Sequence, residues 1–373
     1  MLKKVLHISM SSGKGGLELY VGRVAKDLTQ LGWEVYSISL ENTKVSEYME
    51  KEGIESLTFP SNFASILSFL KVVRWIKKNK ISVIHCHKSS DLRLALVIKP
   101  FLQGVRIFYT DHVGGSSSKK DPYHRLAYSA VERVFSISDA TYVRNLKNLP
   151  ISSRRISRLH HGIDVEKYIP YSDSNHREEK RRNLNIPAKS VAVGLPARVT
   201  PGKGQEIWIK ALAKIPESLP IVAFSIGGID RDSGGTEEYY EEMIRLANSE
   251  KISNRVLFLG HRDDLHEIIP AMDIICIPSR NEAFGLTVIE SMAAGVAVIG
   301  SSSGALPELL GEEGGVLVDP SDVDAWARAI ENLAQDDTLR QSLGYAARKR
   351  AVNYFSKGAH VSALESYYME TNE

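Results

Sequence analysis

Two glutamates, Glu282 and Glu290, are separated by seven residues in the segment 280–295. The first follows an apolar, strand-like run near 273–277, and the second lies within an apolar helical pattern. Gly285 stands between them, where the amides that begin a helix attract anions and a missing side chain lets a ligand approach. A carboxylate on either side of an anion site suits a nucleotide sugar. The alternative is an ordinary amphipathic helix with an acidic start, because two glutamates at this spacing also occur by chance.

A second pair of residues suited to phosphate chemistry is Arg198 and Lys203, which lie five residues apart in Ala-Arg-Val-Thr-Pro-Gly-Lys-Gly. The pair follows a predicted strand near 191–196. Arginine offers a planar fork to phosphate oxygens and lysine a compact charge. Together they can stabilise the negative charge that grows on a departing diphosphate. The alternative is a solvated basic turn before a helix.

The first half of the chain carries further candidates in loops that follow predicted strands. Gly15 and Gly16 would let the backbone approach a diphosphate or an acceptor. Glu18 then falls in the first turn of a helix, where an acid suits the helix dipole whether or not it binds a ligand. His112 and His87 are the remaining candidates, although a loop histidine can simply bond the backbone and a strand-end histidine is often structural.

These motifs occur in the order seen in the retaining glycosyltransferases of family 4, which the chain resembles over nearly its whole length. The E-x7-E, Gly-Gly-x-Glu and Arg/Lys motifs carry this resemblance. Further matching segments are His85 to Lys88, Thr110-Asp111-His112, Ser138-Asp139 and Gly304-Ala305-Leu306-Pro307-Glu308. The resemblance implies an α/β fold of the GT-B type, with two doubly wound Rossmann-like domains facing across a ligand-binding cleft.

The resemblance also implies roles for individual residues. Glu290 would accept hydrogen bonds from the ribose and Glu282 from the donor sugar, which His112 would contact across the cleft. The predicted catalytic residues are His112, Arg198, Lys203 and Glu282. The predicted donor- or nucleotide-binding residues are Gly15, Gly16, Arg198, Lys203, Arg262, Glu282, Phe284, Gly285, Leu286 and Glu290. Glu18 and His87 are predicted to lie on the acceptor side.

The implied reaction retains the anomeric configuration. The acceptor would attack an oxocarbenium-like sugar from the leaving-group face, and the leaving phosphate would serve as the base. We expect no cofactor and no metal. Asp230-Arg231-Asp232 has a metal-binding spacing, but it lies in a Gly/Ser-rich stretch that is typical of a surface turn.

Three positions depart from the family pattern. His161 replaces an Asn at the domain crossing, Ala197 replaces the Gly before the phosphate-binding Arg, and Ala305-Leu306 follows Gly304 where a second Gly is usual. We expect the fold to hold, with a reshaped donor pocket.

Alternation of apolar runs with helical patterns predicts parallel sheets covered on both faces. The predicted strands are 5–9, 34–38, 82–86, 106–109 and 133–137 in the first half, and 191–196, 220–226, 255–260, 273–277, 296–300 and 315–318 in the second. The predicted first-half helices are 16–31, 62–79, 89–102, 122–132 and 139–147. Segment 171–189 is predicted to cross the surface between domains 1–165 and 166–355, and a return helix is predicted near 356–373.

Charge is distributed unevenly along the chain. Residues 1–170 carry 26 Lys+Arg against 15 Asp+Glu, a net of +11, while residues 171–373 carry 21 against 30, a net of −9. This asymmetry makes an anionic membrane surface a candidate partner of the first domain. The alternative is that the two domains differ in charge for no functional reason. Segment 63–80 combines an apolar face containing Phe69 and Trp75 with five basic residues. Packing on the sheet is the expected role of the apolar face, while the basic end could face lipid headgroups. No stacking aromatics interleave with the basic residues, so nucleic acid is not predicted as a partner.

We therefore expect a retaining glycosyltransferase that takes a nucleotide sugar, most simply a UDP-sugar, and a glycan or glycolipid acceptor. The alternatives are a GT-B isomerase or hydrolase of nucleotide sugars and an inactive nucleotide-sugar-binding protein. Two cysteines in apolar runs, together with the lack of a signal peptide or an 18-residue apolar span, predict a cytoplasmic protein. The charge asymmetry makes peripheral contact with the inner face of the cytoplasmic membrane a candidate. The donor sugar, the acceptor and the oligomeric state stay open.

Overall fold

The computed structural model describes residues 3–13, 16–115, 117–171, 174–229 and 235–370. The chain forms two compact units. Unit 1 contains the residues up to His160 and those from His360 onward, and unit 2 contains His161–Ala359. The sequence predicted the corresponding crossings at 165/166 and 355/356.

Unit 1 is built on a parallel sheet of seven strands in the order β3-β2-β1-β4-β5-β6-β7. The strands are β1 (Lys4–Ser9), β2 (Glu34–Leu40), β3 (Glu55–Phe59), β4 (Val83–Cys86), β5 (Arg106–Asp111), β6 (Arg133–Ser136) and β7 (Ile156–Arg158). The helices between them are α1 (Gly16–Gln30), α2 (Lys44–Lys51), α3 (Asn62–Leu67), α4 (Phe69–Asn79), α5 (Leu92–Ile98), α6 (Pro122–Ser129) and α7 (Asp139–Asn148).

Unit 2 is built on a parallel sheet of six strands in the order β10-β9-β8-β11-β12-β13. The strands are β8 (Val191–Pro196), β9 (Ile221–Ile226), β10 (Val256–Phe258), β11 (Ile274–Ile277), β12 (Ala297–Ser301) and β13 (Val316–Val318). Its helices are α8 (Ser174–Asn183), α9 (Gln205–Ala213), α10 (Glu237–Ser249), α11 (Leu265–Ala271), α12 (Leu286–Ala293), α13 (Leu306–Leu310), α14 (Val323–Gln335) and α15 (Asp337–Phe355).

The last helix, α16 (Lys357–Met369), supplies part of the core of unit 1. Its buried side chains Val361, Leu364 and Tyr368 belong to the same apolar cluster as Val5 and Phe108. Successive side chains of a strand point to opposite faces of the sheet. β1 therefore contributes Leu6 and Ile8 to the other core cluster of unit 1.

Each sheet has one point at which its strand order reverses. In unit 1 this point lies between β1 and β4, and in unit 2 it lies between β8 and β11. Loops leaving the carboxyl ends of two such strands run in opposite directions and leave a crevice, which is where open α/β sheets bind ligands. The predicted functional loops follow these four strands and β5.

Several elements differ from the sequence prediction. The edge strands β3 and β7 and the helix α2 were not predicted. The predicted helix 62–79 is divided at Ser68, which is the C-cap of α3 and the N-cap of α4. Segment 171–189, predicted as a surface crossing, contains α8. Two arginines of α8, Arg177 and Arg181, bind the carboxylate of Asp273 at the start of β11, which anchors the helix to unit 2.

Candidate functional site

The loops that follow β8 and β11 meet at the reversal point of unit 2. Lys203 Nζ donates to Glu282 Oε2 at 2.7 Å, and both side chains are largely buried. The backbone N–H of Arg280 also donates to the carbonyl of Gly202 at 3.0 Å. The fold thus brings together a cation and a carboxylate that stand 79 positions apart in the sequence.

Close backbone packing by glycine sets the position of Glu282. Gly304 has φ +63°, and a Cβ there would lie 2.5 Å from the carbonyl oxygen of Glu282. The next residue, Ala305, is fully buried and donates its N–H to the same carbonyl at 3.0 Å. The departure from a second glycine at Ala305 is therefore accommodated, because this methyl group lies inside unit 2.

Gly285 begins α12 with φ +96°, a conformation that favours glycine. Leu286 is the first residue of α12, and Glu290 lies about one turn further along it, with 9% of its surface exposed. Phe284 was predicted to contact the donor, but its ring is 3% exposed and packs edge-on against His161. Its phenyl group therefore supports the loop from inside unit 2, and any contact with a donor would come from its backbone.

His161 explains one departure from the family pattern. It is buried, and its ring centroid lies 5.1 Å from that of Phe284 at an interplanar angle of 85°. An imidazole in this edge-to-face arrangement supplies packing that an asparagine would not provide. Local sequence patterns do not reveal this pairing, because the two residues are far apart in the chain.

The two predicted arginines differ in their surroundings. Arg198 is exposed, and its carbonyl accepts a hydrogen bond from the amide of Gln205 at 2.8 Å. Arg262 follows the edge strand β10 and forms a two-pronged ion pair with Asp264 at 2.8 and 2.6 Å. This hydrogen bonding raises the pKa of the Arg262 guanidinium. The donor-binding role of Arg262 stays a prediction.

In unit 1, the loop after β1 leads into α1. Gly16 is the first residue of α1, while Gly15 lies outside the described residues. Glu18 lies in the first turn of α1 as predicted, but its side chain is buried and accepts a hydrogen bond from Ser11 Oγ at 2.6 Å. A Cβ on Gly13 would lie 2.6 Å from the same carboxylate. Glu18 therefore fixes the loop after β1 through its hydrogen bond to Ser11 and its packing against Gly13.

Histidines cluster at the carboxyl ends of β1, β4 and β5. The sequence prediction included His87 and His112 but missed His7, which is fully buried and lies 2.8 Å from His87 between Nδ1 and Nε2. His87 Nδ1 in turn lies 3.4 Å from His112 Nε2. Tyr20 of α1 lies edge-on to His112, with ring centroids 4.8 Å apart. A histidine within an otherwise apolar strand was the only signal of His7.

Two aspartates shape these loops. The fully buried Asp91 accepts hydrogen bonds from the backbone N–H groups of Met10, His87 and Lys88 at 2.8–3.2 Å. Burial raises the pKa of Asp91 to about 7, while these N–H donors act in the opposite direction. Asp111 Oδ1 accepts from the backbone amides of residues 113 and 114 and so folds the loop that carries His112.

The described residues include one group that could approach a metal ion, formed by His7, His85 and His87, with ligand atoms within 4.8 Å of one another. His85 already uses both ring nitrogens in contacts with Tyr368 and Thr110. The 2.8 Å contact between His7 and His87 is shorter than the ~3.3 Å expected of two nitrogens on tetrahedral zinc. The group is arranged as a hydrogen-bonded network. The predicted surface turn Asp230-Arg231-Asp232 lies outside the described residues.

Comparison with known proteins places both halves of the chain in one group of enzymes. The sequence model of the family described as Glycosyl transferases group 1 matches residues 176–350, and that of Glycosyltransferase Family 4 matches residues 14–167. The D-inositol 3-phosphate glycosyltransferase of Corynebacterium diphtheriae is 36% identical over 397 aligned residues, which cover 96% of this chain and 90% of the relative.

Solved structures share the fold. A glycosyltransferase from Rickettsia africae has a TM-score of 0.88 at 22% identity, with 98% of both chains covered. HepE of Anabaena in complex with UDP has a TM-score of 0.84 at 21% identity, covering 98% of this chain and 99% of HepE. HepE has also been solved with UDP-glucose, with a TM-score of 0.79 at 22% identity over the same shares. The relatives and both family matches agree with the motifs and the fold, and the chain belongs to the family 4 glycosyltransferases.

Proposed function

We propose that this glycosyltransferase moves a hexose or N-acetylhexosamine, with retention of configuration, from a UDP-sugar to a hydroxyl group of a glycan or glycolipid. The observation that carries the proposal is the 2.7 Å pair of Lys203 and Glu282 at the reversal point of unit 2. One partner suits a diphosphate and the other suits sugar hydroxyls. UDP in HepE supports a uridine donor.

Donor binding would change the partners of this pair. The diphosphate would attract Lys203 and Arg198, whose charges stabilise the leaving group as the glycosidic bond breaks. Glu282 would then accept hydrogen bonds from the donor sugar, and Glu290 from the ribose. The amides that begin α12 at Gly285 and Leu286 add a favourable field for the phosphates.

The bond changes balance within the two substrates. The bond between the anomeric carbon and the phosphate oxygen breaks, and the electron pair leaves with UDP. The acceptor oxygen forms the new glycosidic bond on the same face of the sugar. The acceptor proton passes to the departing phosphate oxygen, so neither a covalent sugar–enzyme bond nor a metal cofactor enters the proposal.

The acceptor class is suggested by the surface of unit 1. The helices α3 and α4 expose Phe63 and Leu67, at 67% and 68%, and Leu70, which is half exposed. The α3–α4 patch comprises these three residues, the neighbouring Phe101, and the exposed basic residues Lys71, Arg74, Lys77, Lys78 and Lys80. Apolar side chains ringed by positive charge suit an anionic lipid surface. We therefore propose a membrane-held acceptor used in cell-surface polysaccharide or lipopolysaccharide synthesis, reached from the cytoplasmic face.

The patch does not include the apolar face with Phe69 and Trp75, which packs inside unit 1, as expected from the sequence. Trp75 packs against Tyr36 in unit 1 and donates its indole N–H to Glu55 at 2.8 Å. Phe69 packs on the core cluster and against Phe101. The division at Ser68 turns a different set of apolar side chains outward. Among the described helices, none is long and apolar enough to cross a bilayer.

A donor screen tests the proposed function. Stabilisation by UDP-, GDP- and ADP-sugars would be measured by thermal unfolding, where a donor at 100 times its Kd adds about 2.7 kcal/mol to the free energy of unfolding. We expect a UDP-sugar to give the largest shift. Turnover of the UDP-sugar that does not depend on any acceptor would favour the alternatives, with release of UDP indicating a hydrolase and conversion to another UDP-sugar indicating an isomerase. Binding without turnover over a panel of lipid-linked acceptors would favour an inactive nucleotide-sugar-binding protein.

A further inference from the structure

Three imidazoles form a hydrogen-bonded series that runs from the interior of unit 1 to the loop after β5. His7 Nδ1 lies 2.8 Å from His87 Nε2, and His87 Nδ1 lies 3.4 Å from His112 Nε2. His7 is 0% exposed and His87 is 1% exposed. His7 lies within β1, paired with His85 of β4, and His87 and His112 directly follow β4 and β5, so the series depends on the register of these three strands.

The protonation state of the series follows from burial. Burial lowers the pKa of both His7 and His112 to about 3, so both rings are neutral at neutral pH. A charge on His87 is disfavoured because its ring is buried against the imidazoles of His7, His85 and His112. A neutral imidazole has one donor nitrogen and one acceptor nitrogen. Two directions of hydrogen bonding are therefore available to the whole series.

The unpartnered nitrogen of His7 distinguishes the two directions. His7 Nε2 is buried and has no hydrogen-bond partner among the residues that the structure describes. If the series ran from His112 towards His7, the proton of His7 would lie on Nε2 and a buried N–H would be orphaned. If it runs from His7 towards His112, His7 Nε2 is only an unused acceptor. Buried N–H groups without a partner are the rarer and costlier case, which favours the second direction.

We propose that His7 and His87 are positioning residues that hold His112 as the neutral tautomer with its proton on Nδ1. His112 Nε2 is then occupied as an acceptor, and the nitrogen from which His112 can donate is Nδ1. The edge of Tyr20 restrains the same ring. This inference rests on the proposed function and on the contact between His112 and the donor sugar that the family resemblance implies. It assigns His112 the part of a hydrogen-bond donor to a sugar oxygen and excludes it as the base.

The test is a tautomer measurement on the ligand-free full-length protein. Two-bond ¹H–¹⁵N correlation spectra of ¹⁵N-histidine-labelled protein at about pH 7.5 distinguish the two neutral forms, and the His112→Gln spectrum identifies the His112 signals. We expect the Nδ1–H form. The Nε2–H form, or an imidazolium, in the wild-type protein would overturn the inference without any variant having to fold.

A matched pair of variants tests the origin of the tautomer. His7→Asn keeps an N–H donor near the position of Nδ1, whereas His7→Leu removes it. We expect His7→Asn to keep the Nδ1–H form of His112 and to retain kcat within about threefold. We expect His7→Leu to give a tautomer mixture and a kcat about tenfold lower, with KM for the donor within about threefold. An unchanged His112 signal in folded His7→Leu would overturn the role of His7. If the wild type turns over no UDP-sugar, the proposed function fails. The tautomer measurement does not depend on turnover, so it still shows whether His7 and His87 hold His112 in the Nδ1–H form.

Discussion

Lys203 and Glu282 are hydrogen-bonded to each other at 2.7 Å, although the proposed chemistry assigns them to different parts of one substrate. In the structure, the positive charge of Lys203 and the negative charge of Glu282 neutralise each other. A donor would have to replace this contact with one to its diphosphate and one to its sugar. The loops after β8 and β11 are therefore held together by the same two side chains that would bind the donor.

Removing either cation should slow the chemical step. We expect Lys203→Ala and Arg198→Ala each to lower kcat by about 10²–10³, which corresponds to roughly 2.7–4 kcal/mol of lost leaving-group stabilisation. Steady-state kinetics with a UDP-sugar measures this effect. Lys214→Ala is the control, because Lys214 forms a surface ion pair with Asp324 near the far end of α9. Activity within threefold of wild type in either test variant would remove that residue from the proposed site.

A methyl group at Gly304 should displace Glu282. Gly304→Ala would place its Cβ 2.5 Å from the carbonyl oxygen and 2.7 Å from the amide nitrogen of Glu282, both backbone atoms. Gly53→Ala is the matched control, with φ +69° against +63° and no atom within 4 Å of the added Cβ. We expect both variants to lose about 1 kcal/mol from backbone strain, and only Gly304→Ala to lose affinity for a UDP-sugar. Isothermal titration compares the two, and equal affinities would contradict this account.

Transfer should retain the anomeric configuration and continue in excess EDTA. The expectation follows from the proposed same-face attack, in which Lys203 and Arg198 supply the positive charge that a metal ion provides in other transferases. Proton NMR of the product reports the anomeric configuration within minutes of mixing. Inversion would refute the proposed mechanism, and complete loss of activity in EDTA would reveal a metal requirement.

Acid should destabilise unit 1 before unit 2. Burial lowers the pKa of His7 to about 3 and of His360 to about 4, and it holds the pKa of His85 well below the ordinary 6.5. Their stabilising contributions are complete above pH 6.5 and are lost as the pH falls, at up to about 1.4 kcal/mol per pH unit for each histidine. The raised pKa of Asp91 acts in the opposite direction, but one carboxyl group opposes several histidines.

Hydrogen exchange at about pH 7.5 and 5.5, corrected for the intrinsic exchange rate, measures this difference. Peptides of unit 2 are the internal control. We expect protection to fall in β1, β4 and α16, and to fall less when His7 is replaced by Leu. Equal changes in both units would contradict the prediction.

The α3–α4 patch should bind anionic lipid weakly. Each basic residue near such a surface contributes about 1 kcal/mol, and salt screens the attraction. We expect sedimentation with anionic vesicles at about 50 mM salt but not at about 500 mM, and loss of binding when Lys77, Lys78 and Lys80 are changed to Glu. The control reverses three other exposed lysines of unit 1, namely Lys44, Lys51 and Lys147. Equal binding to neutral and anionic vesicles, or no binding to either, would leave the patch without this role.

The buried strands were predictable because their apolar runs are continuous, as in β4 and β11, whose residues are all buried. The edge strands β3 and β7 were not, because polar residues interrupt their sequences, whereas the wholly apolar edge strands β10 and β13 were predicted. Sequence motifs located Lys203 and Glu282. They did not reveal that the two side chains pair, that Phe284 faces His161, or that His7 completes a series with His87. Each of these depends on contacts between residues brought together by strand order, which local patterns do not encode.

The contribution of α16 to unit 1 has a consequence for synthesis. Val361, Leu364 and Tyr368 complete a core that includes Val5 and Phe108, and all of unit 2 is translated between these two sets of residues. Unit 1 therefore begins to leave the ribosome first but waits for the last helix to finish its core. A nascent chain halted after residue 355 would carry an exposed apolar face on β1 and β5, which would stay prone to aggregation until α16 has been translated.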